Sequence, residues 1–174
     1  MDLLPSLPDA RVVVVQGNGK HFQAGADLAW ISSVAPKSPE ENERVSRLTG
    51  EAIRRLDTLP IPTVALIQGG CFGGGTGIAS VCDIVVAADN AIFAITEARW
   101  GLIAGIILPQ LCKAIGVRNV RRYALTCERF TPAVALHIGL VHEICQADAL
   151  VATGARIVDG LLMNSPSAVS ATKM

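Results

Sequence analysis

Glu97 and two glycine-bearing stretches are the parts of this sequence whose residue types and spacing suit chemistry. Glu97 closes the run Phe93-Ala94-Ile95-Thr96-Glu97 and is followed by Ala98, Arg99 and Trp100. Apolar neighbours disfavour the ionised form of an acid and lift its pKa toward that of a working acid or base. An acid paired with Arg99 or another nearby arginine is the plainer reading. The second feature is Gly69-Gly70-Cys71-Phe72-Gly73-Gly74-Gly75-Thr76-Gly77. A strand that breaks through glycines into a helix start leaves several backbone N–H groups unpaired, and the helix dipole favours negative charge there. A tight turn with no ligand uses the same residues. No Lys-Ser or Lys-Thr follows the glycines, and the spacing is not that of a dinucleotide turn, so neither nucleotide fingerprint fits. The third feature is His21-Phe22-Gln23-Ala24-Gly25-Ala26-Asp27-Leu28, whose small residues let a ligand approach the backbone. An ordinary capped turn is again the plain alternative.

The elements that must position these groups are legible in outline. The apolar run 63–67 predicts a buried strand ending at Gly69-Gly70. Residues 11–16 contain four valines and predict another buried strand, closed by the turn Gly17-Asn18-Gly19. If the two strands are parallel neighbours, both glycine turns lie at the carboxyl edge of one sheet, where ligands usually bind. One N–H from each turn then points at one oxygen, the geometry of an oxyanion hole. A thioester enolate is one intermediate that needs it. Asp27 suits the cap of a helix through Ile31. Ser38, Pro39 and Glu41 form a capping box with proline at the first helical position. Val45, Leu48, Ala52, Ile53, Leu56 and Leu59 follow at helical spacing, with Arg54 and Arg55 on the wet side.

Ile78, Ala79, Val81 and Cys82 predict a small-residue helix ending near Asp83. Strands are expected at 84–87, 92–95 and 140–144, and helices at 109–115, 117–126, after Thr131-Pro132, at 147–162 and after Ser165-Pro166. Residues 1–10 carry two prolines and read as a loop. The alternation predicts an α/β core with helices added at the end. No internal repeat is visible.

Composition narrows the function classes. The 174 residues suit one domain, and 51% hydrophobic content supplies a sizeable core. Fifteen basic and fifteen acidic residues cancel, which argues against nucleic-acid binding through a whole-surface field. Five cysteines, mostly inside apolar runs, read as free thiols in a reducing, cytoplasmic compartment, with Cys82 and Cys112 expected in the core. His21, His137 and His142 show no metal-ligand spacing, and no Cys-x-x-Cys pair occurs, so no metal is expected. No signal peptide is visible, and Gly, Asp or Pro breaks each apolar stretch before membrane-spanning length.

In order and at family spacing, several stretches together resemble the enoyl-CoA hydratase/isomerase (crotonase) family. They are Phe22-Gln23-Ala24-Gly25-Ala26-Asp27-Leu28, Pro60-Ile61-Pro62-Thr63, residues 69–83, Phe93-Ala94-Ile95-Thr96-Glu97, Gly101-Leu102-Ile103 and Ala133-Val134-Ala135-Leu136-His137-Ile138-Gly139-Leu140-Val141. The resemblance implies an α/β spiral of ββα units with C-terminal helices, binding an acyl-CoA thioester. By it, Ala26 and Gly74 donate the oxyanion N–H groups, Ala24 and Ala26 lie beside the CoA adenine, and Asp83 is structural. Glu97 matches one catalytic glutamate. The position of the other matches Gly77, which leaves that carboxylate place empty. No permanently bound cofactor is implied, since the substrate carries the coenzyme A. Residues 1–116 are expected to form the acyl-CoA-binding core, and 117–174 a helical region for contacts in a homotrimer or hexamer.

Ala104-Gly105-Ile106-Ile107-Leu108-Pro109 and Asp27-Leu28-Ala29-Trp30 are similar to bacterial methylglutaconyl-CoA and isohexenylglutaconyl-CoA hydratases. The resemblance therefore implies a lyase that adds water to a branched 2,3-enoyl-CoA. An enoyl-CoA isomerase and a non-catalytic acyl-CoA binder are the alternatives. The family's N-terminal strand pair and final helical residues find no match, which suggests a part of a longer pattern.

Overall fold

The structure, a computed structural model, describes residues 9–174; the loop expected at 1–10 falls, up to residue 8, outside the described residues. In chain order the elements are β1 (Val13–Gln16), α1 (Leu28–Val34), α2 (Pro39–Asp57), β2 (Thr63–Ile67), β3 (Gly70–Phe72), α3 (Gly74–Val81), β4 (Ile84–Ala88) and β5 (Ile92–Ala94). A 3₁₀ turn (Glu97–Trp100), α4 (Leu108–Thr126), α5 (Pro132–His137), β6 (Glu143–Cys145), a second 3₁₀ turn (Ala147–Ala149), α6 (Leu150–Leu162) and α7 (Pro166–Lys173) follow.

The strands form two parallel sheets, one ordered β1-β2-β4-β6 and one pairing β3 with β5. The chain repeatedly places one strand in the first sheet, steps to a short strand in the second, and then enters a helical segment. β2-β3-α3 is one such unit, and β4-β5 followed by the first 3₁₀ turn is the next. β1, the parallel bridge of Gln23 to Cys71, and α1 trace the same path one rung earlier. This is a spiral of ββα units with helices at its C-terminal end. Its repetition lies in the backbone path, which is why no repeat shows in the residues.

β2 is buried along its whole length, as an apolar run between two covered faces must be. Ala65 and Ile67 join the large cluster that includes Phe93, Ile107 and Leu111, while Val64 and Leu66 face the smaller cluster under α6. Burial of each large aliphatic side chain contributes about 1.5–3 kcal/mol. Gly154 lets α6 approach closely, since a Cβ there would stand 2.7 Å from Cδ1 of Leu66. The buried reading of 11–16 is corrected: β1, at the edge of the sheet among the described residues, alternates half-buried and exposed, with Val14 43% exposed. β3 was not expected, and the strand expected at 140–144 pairs as Glu143–Cys145. α4 is two helices joined at Gly116 (φ 76°, ψ 149°), matching the break expected there. Cys112 is half-buried rather than in the core, and all five cysteines are free. Among the described residues, no helix is long and apolar enough to cross a membrane, and no cluster of His, Cys, Asp or Glu suits a metal ion.

Candidate active site

α3 begins where β3 ends, and the glycines there are closely packed. Gly73 has a φ of 52°, and its N–H donates to the Ala94 carbonyl at 2.9 Å. A Cβ on Gly73 would stand 2.9 Å from Glu97 Oε1 and 3.4 Å from Thr96 Oγ1. A Cβ on Gly75 would stand 2.9 Å from Gln23 Oε1 and 3.0 Å from Gln23 Cβ. The turn is therefore packed on one side by the Glu97 carboxyl and on another by the Gln23 amide. Gly74, the first residue of α3, carries one of the helix-start N–H groups that have no acceptor within the helix. Thr76, fully buried, donates its hydroxyl to the Gly73 carbonyl at 2.7 Å and fixes the turn.

Glu97 opens the 3₁₀ turn, which Gly101 closes in the left-handed conformation (φ 70°). Its carboxyl is half-buried, and Oε2 is buried without a hydrogen-bond partner. Desolvation raises its pKa, and hydrogen bonds from the backbone of Glu97 and Thr96 offset part of the rise. Arg99 is not its partner: that guanidinium donates to the Cys127 carbonyl at 2.9 Å. The plain reading of Glu97 as one half of an ion pair with Arg99 is thereby removed. A desolvated carboxyl with one free oxygen is suited to exchange a proton with something that enters the site.

The space beside Gly77 is filled by hydrocarbon. Gly77 is buried one helical turn after Gly73 on the same face of α3. A Cβ there would overlap Cγ2 of Ile107 and stand 2.8 Å from its Cβ. Ile107 is fully buried. Glu97 and Ile107, ten residues apart, thus flank the first two turns of one helix. The resemblance would put a second carboxylate at Gly77; the structure shows Ile107 in that space.

The other glycine loop is held differently. Ala24 and Ala26 are exposed, and Gly25 has a φ of 113° with no atom near its Cβ position. Asp27 caps α1, accepting from the N–H groups of Ala29 at 2.8 Å and Trp30 at 3.1 Å. Gln23 reaches across the loop. Its Oε1 accepts from the Gly25 N–H at 3.0 Å, and its Nε2 donates to the Gly25 carbonyl at 3.2 Å. Its own backbone is locked to β3, with N–H donated to Gly70 at 3.0 Å and carbonyl accepting from Phe72 at 2.9 Å. One side chain thus touches both glycine loops. Neither the Gln23 clamp nor the Ile107 plug has a signal in residue spacing.

Two other groups serve the frame. Asp83 accepts from the Thr63 N–H and hydroxyl at 2.7 and 2.8 Å and pairs with Lys173 at 2.7 Å. The cleft of about 460 Å³ beside it is lined by Pro62, Leu161 and Val169, and its charged groups are already matched. His21 Nδ1 accepts from the Gly70 N–H at 2.9 Å. Burial pushes the Cys82 thiol up to about 12, so it is inert at neutral pH.

Comparison with known proteins is consistent with this geometry. The family model described as "Enoyl-CoA hydratase/isomerase" matches residues 5–174. The peroxisomal Delta(3,5)-Delta(2,4)-dienoyl-CoA isomerase of Arabidopsis thaliana is 32% identical over 95% of this chain and 64% of its own length. The short-chain-enoyl-CoA hydratase of Clostridium acetobutylicum is 32% identical over 92% of this chain and 61% of its own. A crystal structure of an enoyl-CoA hydratase from Shewanella pealeana superimposes with a TM-score of 0.90 at 37% identity, covering 94% of this chain and 61% of that one. The chain therefore spans somewhat under two thirds of the length of these relatives. Spiral, glycine turn and half-buried glutamate all fall within the matched span, and the chain belongs to the crotonase superfamily of enoyl-CoA hydratases and isomerases.

Proposed function

We propose that this chain acts on the double bond of an enoyl-CoA thioester, with Glu97 as the single proton-transferring group, and that double-bond isomerisation is its primary reaction. The observation that carries this reading is the pairing of a desolvated, unpartnered Glu97 oxygen with a hydrocarbon plug at Gly77. Moving a double bond needs one base that becomes one acid. The Glu97 carboxylate takes the proton from C2 of a 3-enoyl thioester. The electron pair of that C–H bond forms C1=C2 and the thioester C=O pair moves to oxygen, giving a dienolate in which C3=C4 is still in place. The N–H groups of Ala26 and Gly74 hold that oxygen. Glu97 then returns the proton to C4, leaving a 2-enoyl thioester with no net gain or loss of atoms.

Hydration of a branched 2,3-enoyl-CoA, such as methylglutaconyl-CoA or isohexenylglutaconyl-CoA, is the second reading. The short-chain hydratase among its relatives favours it, as does the resemblance of residues 104–109. There Glu97 alone would deprotonate water for attack at C3 and protonate C2. One experiment separates the two. A 3-enoyl-CoA, crotonyl-CoA, 3-methylglutaconyl-CoA and isohexenylglutaconyl-CoA are each offered, and product mass and the ultraviolet absorbance of the conjugated thioester are followed. Unchanged mass with absorbance gained from the 3-enoyl substrate is the expected result. A gain of one water from the branched substrates, with no isomerisation, overturns the primary reading in favour of the second. A pure acyl-CoA binder shows neither, and such a protein has no need of a desolvated carboxyl.

The same reading places acyl-CoA binding in residues 1–116, with Ala24 and Ala26 beside the adenine, and intersubunit contacts in 117–174. Leu125 at 79% and Val151 at 69% exposure support a buried face in a homotrimer or hexamer. Light scattering at micromolar concentration is expected to give a trimeric or hexameric mass; a monomeric mass counts against it.

A further inference from the structure

Two N–H groups make an oxyanion site only if the distance and angle between them are fixed. Gly74 is fixed by packing. Ala26 sits on an exposed loop whose middle residue, Gly25, has open space around it. A loop of small residues has no side chains of its own to stiffen it. Something must tie it to α3.

Resting on the proposed oxyanion roles of Ala26 and Gly74, we infer that Gln23 is the positioning residue that sets the spacing of the two N–H donors. The amide of Gln23 closes on both polar groups of Gly25, the N–H at 3.0 Å and the carbonyl at 3.2 Å. That two-point contact fixes the orientation of the peptides flanking Gly25, where a single bond would leave a pivot. The far end of the same amide stands against the first turn of α3. Its Nε2 lies 3.9 Å from the Cβ position of Gly74, and its Oε1 lies 2.9 Å from that of Gly75. The backbone on either side is pinned to β3 through Gly70 and Phe72. Gln23 is thus wedged between the loop and the helix start, with its donor and its acceptor both used on the loop.

The residue type follows from these contacts. A carboxylate accepts from the Gly25 N–H but has nothing to donate to the carbonyl, and it adds negative charge where an oxyanion would form. A methionine keeps the length and loses both hydrogen bonds. A shorter side chain leaves a gap against Gly75. Glutamine is the side chain of this length that carries both a donor group and an acceptor group. Gln23 itself does not touch the reacting atoms; it acts through the Gly25 peptides.

The test uses the full chain and two variants, Gln23→Met and Gln23→Glu. A thioester carbonyl held by two N–H donors has its C=O stretch moved to lower frequency. The probe is butanoyl-CoA labelled with ¹³C at the carbonyl, bound to the protein and observed by difference infrared spectroscopy. The parent is expected to show the low-frequency shift, and Gln23→Met a smaller one. Gln23→Met should also lose about 10–100-fold in kcat, as small misplacements of reacting groups do, while KM moves less than about threefold. Gln23→Glu should lose at least as much, and it keeps the test open if the methionine variant does not fold. A normal carbonyl shift and parent-like kcat in either folded variant overturn the inference. A parent with no carbonyl shift at all overturns the oxyanion roles of Ala26 and Gly74, and this inference with them.

Discussion

The two glycine loops of the site meet the same demand by opposite means. At residues 73–77 every second residue is a glycine with an atom close to its Cβ position: Glu97 at Gly73, Gln23 at Gly75, Ile107 at Gly77. The loop at residues 24–26 is exposed, and no atom lies near the Cβ position of Gly25. Its shape comes from a positive φ, from the two-point Gln23 contact and from the Asp27 cap. Packing specifies the first loop and hydrogen bonding the second. Packed interiors respond to a single added carbon, whereas hydrogen-bonded loops give way gradually. The chemistry, on the proposed reading, sits on the packed side.

The largest effect tests where the chemistry lies. Glu97→Gln keeps shape and packing against Gly73 but removes proton exchange, and turnover is predicted to fall about 10²–10⁴-fold. Acyl-CoA affinity, measured separately by calorimetry, should change little. Parent-like turnover would remove Glu97 from the mechanism. Next is Gly77→Ala on the packed side. Its new methyl overlaps Ile107, so unfolding free energy in urea should drop by about 1–3 kcal/mol. In an Ile107→Ala background the same change should cost markedly less. Equal costs in both backgrounds would mean that Ile107 does not fill that space.

Gly25→Ala probes the other loop. It meets no atom, so its cost is the strain of a positive φ, about 1–2 kcal/mol. An unchanged melting midpoint would show that the loop adopts another shape in solution. Asp27→Ala removes the cap of α1 and should cost about 1 kcal/mol, read in the same urea titration. The smallest effect is a pH slope. The folded-state pKa of Glu97 is raised above 4.5 by burial, so the folded protein binds the extra proton. Stability should therefore fall as pH rises from the unfolded value through the raised folded one, with the loss complete above it. Glu97→Gln should flatten that slope, and identical pH profiles would contradict the assigned burial.

Much of this was legible from residues close in sequence. The run 63–67 is β2, the start of α2 has its Ser38 cap and Pro39, and Thr131 caps α5 by accepting from Val134. Local chemistry determines such features. The Glu41 half of the expected capping box goes elsewhere, because Lys37 lies 2.9 Å from its carboxylate. β3 escaped notice because Gly70 and its two successors carry no alternating pattern; a three-residue strand takes its shape from its partner β5. β1 read as buried because four valines look alike whether one sheet face is covered or two. At the site, the glycine at position 77 was visible in the sequence. Ile107, thirty positions on and inside an apolar run, was not, since only the fold brings the two together.

The all-parallel first sheet has a consequence in time. No parallel pair closes as a hairpin, so each partner must wait for a crossover to be made. β4 pairs with β6 through Val86 and Glu143, and Lys173 bonds to Asp83 across 90 residues and to Ile61 across 112. Contacts of such sequence separation place folding in the slower range of single domains. On a ribosome adding about 5–20 residues per second, the β4 edge stays open for roughly 3 to 11 seconds before Cys145 is made. Through that interval Val85, Val86 and Ala87 form an unpaired apolar edge, the surface that invites pairing with another nascent chain. Lys173 is made after the last residue of β6, so the Asp83–Lys173 tie becomes available only once that segment has been synthesised.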